Sequence, residues 1–461
     1  MKFNKSSQLL LVAAASLLVA ALVTACGTLT TDFVYVTSSK AAGANNYGEI
    51  DVFEINAVSG FMRQIPTSPF PSAGRNPVAE AISPDYENLY VVNHDDDTVV
   101  QFKIGPDGKL YPLNTVDTPG IFPLAVAVNS SYLFVADTYQ PLPGCSTLDP
   151  CTGSISVYTL LTSDQAKAQN KYPYPDSLGS PVNNPAIGAS YWPLTLPSSP
   201  NDVIQPTGIM VLPTNDFVYV SAYDTTANAG YVFAFSIGSG GVLKPLNGGV
   251  PIAAGVHPSA IASDSTGAYL YITDSTNSNI LGYAISSGSL TKLAGSPYPT
   301  GNQPSGIAID SEYPYAYVAN ALDGNVTAYS ISNGVLTRIG SYAAGIQPVA
   351  IGIDPSTNHF VFTANFLGNG ANGTISDFEM STTGVTAGTL IDTQHTPYTA
   401  NAQPTAVAAV PHKVSLKCAR LRSAAGDTSS TPYRAFTIPT GQLNQLSFRA
   451  CSLIAHDEGS A

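Results

Sequence analysis

The sequence predicts an all-β fold: a seven-bladed β-propeller of four-stranded antiparallel blades, its ring closed by N- and C-terminal strands. Three observations carry that prediction. An X-Pro pair recurs seven times, at Asn76-Pro77, Phe122-Pro123, Gln205-Pro206, His257-Pro258, Gln303-Pro304, Gln347-Pro348 and Gln403-Pro404, at spacings of 46, 83, 52, 46, 44 and 56 residues. Each unit then breaks into four short apolar runs bounded by Gly, Pro, Asn, Asp and Ser, the pattern of blades built from strands and tight turns. Finally, the repeat begins and ends on complementary fragments. It opens at Phe33-Val-Tyr-Val-Thr-Ser38 with no preceding X-Pro run and stops after an inner run, Gln403 to Val410. Joining the two completes a first blade and leaves no free sheet edge.

The first run of a unit, such as Gly306 to Ile309, is small and apolar and suits the innermost strand. The second ends in an aromatic-Val-x-Asn or a close variant: Tyr90 to Asn93, Phe134 to Asp137, Tyr219 to Ala222, Tyr271 to Asp274, Tyr317 to Asn320 and Phe362 to Asn365. The third alternates, as in Val99 to Ile104 and Ile280 to Ile285. The fourth is weak and follows a Gly turn, as in Gly288 to Lys292, which fits an exposed outer edge. With 35 Pro and 39 Gly in 461 residues, long helices have little place outside the N-terminus.

Residues 1–26 have a basic start, an apolar run from Leu9 to Val23 and the small residues Thr24-Ala25 before Cys26, the layout of an export signal. Val23-Thr-Ala-Cys26 resembles a bacterial lipobox. That resemblance implies a lipidated Cys26, a tether over residues 27–32 and a protein anchored at the cell envelope, on an outer membrane or periplasmic face. Gly27 in place of Asp is compatible with sorting to an outer membrane. Cys145, Cys151, Cys418 and Cys451 remain, an even number that suggests two disulfides in an exported protein. Cys145 and Cys151 enclose a short loop and are expected to pair, and Cys418 with Cys451 then follows by elimination.

The repeat phrases resemble the lactonase-like seven-bladed propellers, which include the YVTN-repeat proteins and the cytosolic 6-phosphogluconolactonase type. The resemblance runs from about Phe33 to Val410, and Tyr35-Val-Thr-Ser38 and Tyr317-Val-Ala-Asn320 lie close to the name-giving tetrapeptide. It implies the propeller fold. For members with lactonase activity it also implies an Arg/His/Glu cluster near the channel, with Arg-His just after the blade-opening proline. Here those positions hold Val78, Leu124, Thr207, Ser259, Ser305, Val349 and Thr405.

The formal net charge is −13, from 18 basic and 31 acidic residues, and only 11% of residues are charged. An acidic, lysine-poor surface argues against a nucleic-acid partner. Two segments break the regularity of the propeller domain, residues 33–411. An insertion at about 159–202 lengthens blade 3 and carries the only tryptophan, Trp192. It reads either as an aromatic binding lid or as a loop whose Trp fills a gap on the propeller flank. The extension 412–461 holds six of the 18 basic residues and three acids, leaving it near +3.

His257 is the candidate general base, because the X position of an X-Pro pair borders the channel mouth and an imidazole there can activate water on a lactone. Gln occupies that position in four of the seven units, so a turn residue bonding backbone is the simpler reading. The strand-end residues Asn93, Asp137, Asp274, Asn320 and Asn365 are candidates for a polar ring at the mouth, but their repetition in blade after blade favours the plainer role of bonding turn backbone. The run His94-Asp-Asp-Asp97 has oxygen ligands but no calcium-loop spacing, and no metal or cofactor is expected. Two functions remain. The first is a lipid-anchored, non-catalytic monomer that binds a small molecule, glycan or envelope protein. The alternative is a hydrolase opening a sugar lactone at the channel mouth.

Overall fold

The computed structural model describes residues 30–40, 46–148, 150–168, 177–357, 359–368, 372–416 and 436–439. The positions expected for lipidation, Cys26, and for a second disulfide, Cys418 and Cys451, lie outside them. Seven antiparallel sheets follow one another round a ring. The inner strands are Gln403–Pro411 in blade 1, then Pro77–Ile82, Ile121–Val128, Ile204–Val211, Pro258–Ser263, Pro304–Ile309 and Ile346–Ile353. Blade 1 draws its inner strand from the far end of the chain: Gln403–Pro411 pairs along Thr30–Ser39, with Asp32 opposite Pro411. Among the described residues the one α-helix is Ser163–Ala168.

The proline that opens each blade shapes its inner strand. It lacks an N–H, so the ladder cannot run regularly through it. The residue after it is extruded as a β-bulge in all seven blades: Val78, Leu124, Thr207, Ser259, Ser305, Val349 and Thr405 each lie at a register shift. Three of the bulged hydroxyls reach the proline carbonyl of the next blade, Ser259 to Pro304 at 2.6 Å, Ser305 to Pro348 at 2.5 Å and Thr405 to Pro77 at 2.8 Å. They tie the neck of the ring.

The repeated aromatic of the second run is a brace between blades. Tyr35, Tyr219, Tyr271 and Tyr317 are fully buried, and each hydroxyl donates to a glycine carbonyl in the next blade. Those glycines, Gly108, Gly288, Gly334 and Gly388, have φ between +77° and +83°, a left-handed region that favours glycine. At Gly334 a Cβ would lie 2.4 Å from the Tyr269 ring, so the same turn excludes any side chain. Tyr271→Phe leaves the Gly334 carbonyl without its 2.9 Å donor. It is expected to cost about 1 kcal/mol, read as a lower urea midpoint at unchanged slope.

The fourth strand is split in five blades into two pieces that pair with different stretches of the third. In blade 3 the pieces are Ser177–Pro181 and Trp192–Pro193, and Trp192 lies opposite Ile155. Tyr298 opposite Ile280 and Tyr398 opposite Ile375 hold the same place in blades 5 and 7. Trp192 is therefore a repeat position and not a lid residue. It is 4% exposed, packs between blades 3 and 4 with Phe233 and Phe235, and donates its Nε1–H to Leu243 O at 3.0 Å.

Candidate functional site at the channel mouth

The X-Pro connection and the hairpin between second and third strands lie on one face of the ring, here the upper face. Backbone bonds join them: His94 N–H to Asn76 O, Ser275 N–H to His257 O and Ala321 N–H to Gln303 O, at 2.9–3.0 Å. His257 sits on this face in blade 5. Its imidazole packs on the Tyr223 ring at a centroid distance of 4.5 Å, and its Nδ1 lies 3.2 Å from Ser275 Oγ. Its backbone N–H donates to Asp274 Oδ1 at 3.1 Å. An open depression of about 550 Å³ spreads from His257 to Ser275, Thr276, Ser278, Asn302, Gln303 and Leu322. No carboxylate and no guanidinium lines it.

The five strand-end residues do not ring the mouth as accessible groups. Asn93, Asp137, Asp274, Asn320 and Asn365 are all fully buried. The reason is a glycine two residues before the X of five X-Pro pairs. Gly74, Gly120, Gly255, Gly301 and Gly345 lie flat on these side chains, so close that a Cβ would fall 2.1–2.6 Å from them. Beneath that lid the side chains secure the turns. Asp274 accepts from the N–H groups of Val256, His257 and Thr276 at 2.8–3.1 Å. Burial works against its ionised form, but these N–H bonds outweigh it and its pKa falls below the usual value. Asp137 Oδ2 accepts from Ser156 Oγ at 2.6 Å, with Thr118 and the Gly120 backbone helping less, and its Oδ1 is sealed without a partner. There burial wins and the pKa is pushed up to about 8. The sequence carries the Gly-x-X-Pro signal, which the X-Pro repeat alone had hidden.

The acidic run beside blade 2 is closed on itself. Asp96 pairs with Arg75 at 2.5 Å, Asp95 accepts from Asn76 Nδ2 at 3.1 Å, and Asp97 accepts the Phe122 N–H at 2.6 Å. His94 Nδ1 lies 2.7 Å from Asp95 Oδ1, and its ring stacks on Phe122 at 4.7 Å. Among the described residues no three His, Cys, Asp or Glu side chains converge in a way that could hold a metal ion. The hairpin after Tyr139 is stapled by the Cys145–Cys151 disulfide.

The profile described as "Lactonase, 7-bladed beta-propeller" matches residues 33–181 and 273–421. The chain belongs to this lactonase family of seven-bladed propellers. No curated protein sequence matches it. Among solved structures it is similar to the periplasmic gluconolactonase PpgL of Pseudomonas aeruginosa, at 16% identity and a TM-score of 0.61, over 82% of this chain and 99% of the other. A 6-phosphogluconolactonase candidate of Bacteroides uniformis is 19% identical with a TM-score of 0.59, over 83% of this chain and all of the other. These identities speak for the shared fold. Membership of the lactonase family itself supports the hydrolytic reading better than the non-catalytic one. Within the family frame, the positions after the blade-opening prolines are the neck bulges, and where they carry a hydroxyl it bonds within the ring.

Proposed function

We propose that this lactonase-family propeller hydrolyses an uncharged sugar lactone at the upper mouth of blade 5. The observation that carries the reading is the His257 imidazole at the edge of an open, hydroxyl- and amide-lined depression, held by Tyr223 on one side and Ser275 on the other. Among the described residues its Nε2 has no hydrogen-bond partner. It can accept the proton of a water that attacks the lactone carbonyl. The C–O bond to the ring oxygen then breaks, and the proton passes from Nε2 to that oxygen, giving the open hydroxy acid. The Gln303 side-chain amide is placed in the same depression to donate to the developing oxyanion. With no lysine or arginine in the lining, a neutral lactone fits better than a phosphorylated one. On the lipobox-like Val23–Cys26 stretch, we place the enzyme at the cell envelope as a lipid-anchored monomer.

The experiment is hydrolysis of glucono- and galactonolactones by the wild type and by His257→Ala. Turnover above background that falls at least about 100-fold in the variant, with an unchanged melting curve, is the expected result. No turnover by the wild type, or full turnover by His257→Ala, overturns it. The absence of any acid or guanidinium from the lining of the depression favours a second reading, a binding module without turnover. That reading gains if lactones bind and are released unchanged.

A further inference from the structure

Aromatic side chains of neighbouring blades are linked along part of the upper mouth. Taken in order round the ring, the contacts form a continuous arc from blade 2 to blade 5. His94 stacks on Phe122, Phe122 meets the Tyr139 ring edge-on at 6.0 Å, and Gln205 Nε2 reaches the Tyr139 hydroxyl at 3.5 Å. Gln205 lies opposite Tyr223 in the strand register, and Tyr223 holds His257. Tyr139 is the buried link, while Phe122, Tyr223 and both histidines keep part of their surface open. Beyond His257 the X positions are amides, Gln303, Gln347 and Gln403, and an aromatic returns only in blade 7, where Phe366 lies opposite Gln347.

Phe122 is a second, independent pointer. It is the X of an X-Pro pair and has φ +56°, a conformation shared at this position by Asn76, Gln303 and Gln347. Asn tolerates the left-handed region, whereas a bulky aromatic there is strained, and such strain clusters at functional sites. The nearby carboxylates are already committed: Asp95 to Asn76 and His94, Asp96 to Arg75 and Asp97 to the Phe122 N–H. Of the three, Asp96 alone faces a permanent cation, Arg75, so the run stays net acidic and disfavours an anionic ligand. The arc instead offers ring faces for the C–H surface of a sugar, with amide and hydroxyl groups beside them for its hydroxyls.

We propose that the arc over blades 2 to 5 is a binding track for a neutral oligosaccharide. One pyranose ring rests at Phe122 and His94 and another at Tyr223. The inference rests on the reading of the His257 depression as the place where the lactone end is held. The Cys145–Cys151 hairpin begins directly after Tyr139 and presents a 96% exposed Leu148.

The test is calorimetric titration of the intact protein with cellobiose, maltose and lactose, with glucose and choline chloride as controls. At least one disaccharide is expected to bind about fivefold or more tighter than glucose. Phe122→Asn and Tyr223→Leu are each expected to weaken it by a similar factor, with melting temperature unchanged. Asn is chosen because Asn76 already adopts this φ in blade 2. The proposal is overturned if no disaccharide binds up to about 20 mM, if choline binds instead, or if both variants bind as the parent does. Binding is read without turnover. A protein that binds the disaccharides but opens no lactone therefore overturns the hydrolase and leaves the track standing.

Discussion

At pH 8, Glu80→Gln is expected to be more stable than the parent protein by on the order of 4 kcal/mol, and at pH 4 the two should be nearly equal. Glu80 is the single ionisable residue on the seven inner strands. Its Oε2 accepts from Thr37 Oγ1 of blade 1 at 2.5 Å, while its Oε1 is sealed from solvent with no partner. Burial, only partly offset by the Thr37 bond, pushes its pKa from 4.5 up to about 8. Between those two values the unfolded chain has released a proton that the folded protein keeps. Folding stability is therefore full below pH 4.5, falls as pH rises, and levels off above pH 8. Gln imitates the protonated acid and removes that slope. Asp137, raised to about 8, and Asp310, raised to about 6, both chiefly by burial, act in the same direction. The parent should melt higher at pH 5 than at pH 8. Denaturant titrations of both proteins across this range decide it, and parallel pH profiles would show that Glu80 ionises freely.

Trp192→Ala is expected to remove about 4 kcal/mol of stability. The indole fills the space between blades 3 and 4 among Leu194, Leu196, Phe233 and Phe235, and its truncation leaves a cavity that rigid sheets cannot close. The change also strands the Leu243 carbonyl, whose 3.0 Å donor is the indole N–H. Trp192→Phe should recover much of the packing and lose the bond. Circular dichroism is the appropriate probe, since the chain has no other tryptophan. Lactone turnover per folded molecule should stay at the parental level, because the ring is 4% exposed and lies on the flank. A loss of turnover without a loss of stability would restore Trp192 to the site.

The propeller was legible because its physics repeats. An aromatic such as Tyr271 must bury its ring and find an acceptor in the next blade, so it recurs with the blade. The closing seam was legible from the two fragments it joins, Phe33 to Ser38 and Gln403 to Val410. The outer strands were less so: pieces of two residues, such as Trp192–Pro193 and Tyr298–Pro299, are too short to show alternation. This is why Trp192 stood out in the sequence as an anomaly when it was a place-holder. The turn-bonding role of the Asn and Asp at the strand ends was legible from their repetition, but their complete burial was not, for a related reason. Their position at the mouth follows from the repeat, but their burial depends on glycines such as Gly255 from the preceding connection. The aromatic arc is a property of neighbouring blades, joining Phe122 to His94 and His257 to Tyr223 across separations that no single repeat displays.

The seam also fixes how the molecule hangs. Thr30 opens its strand, and Pro411 ends its own, on the face away from the mouth, where the His412 N–H caps the Thr31 carbonyl at 2.8 Å. Both exits from the ring therefore share one spot on the underside. Whatever is attached there, by either exit, holds the ring like a cup by its base. An anchor of the kind we propose would thus leave from the side opposite the mouth.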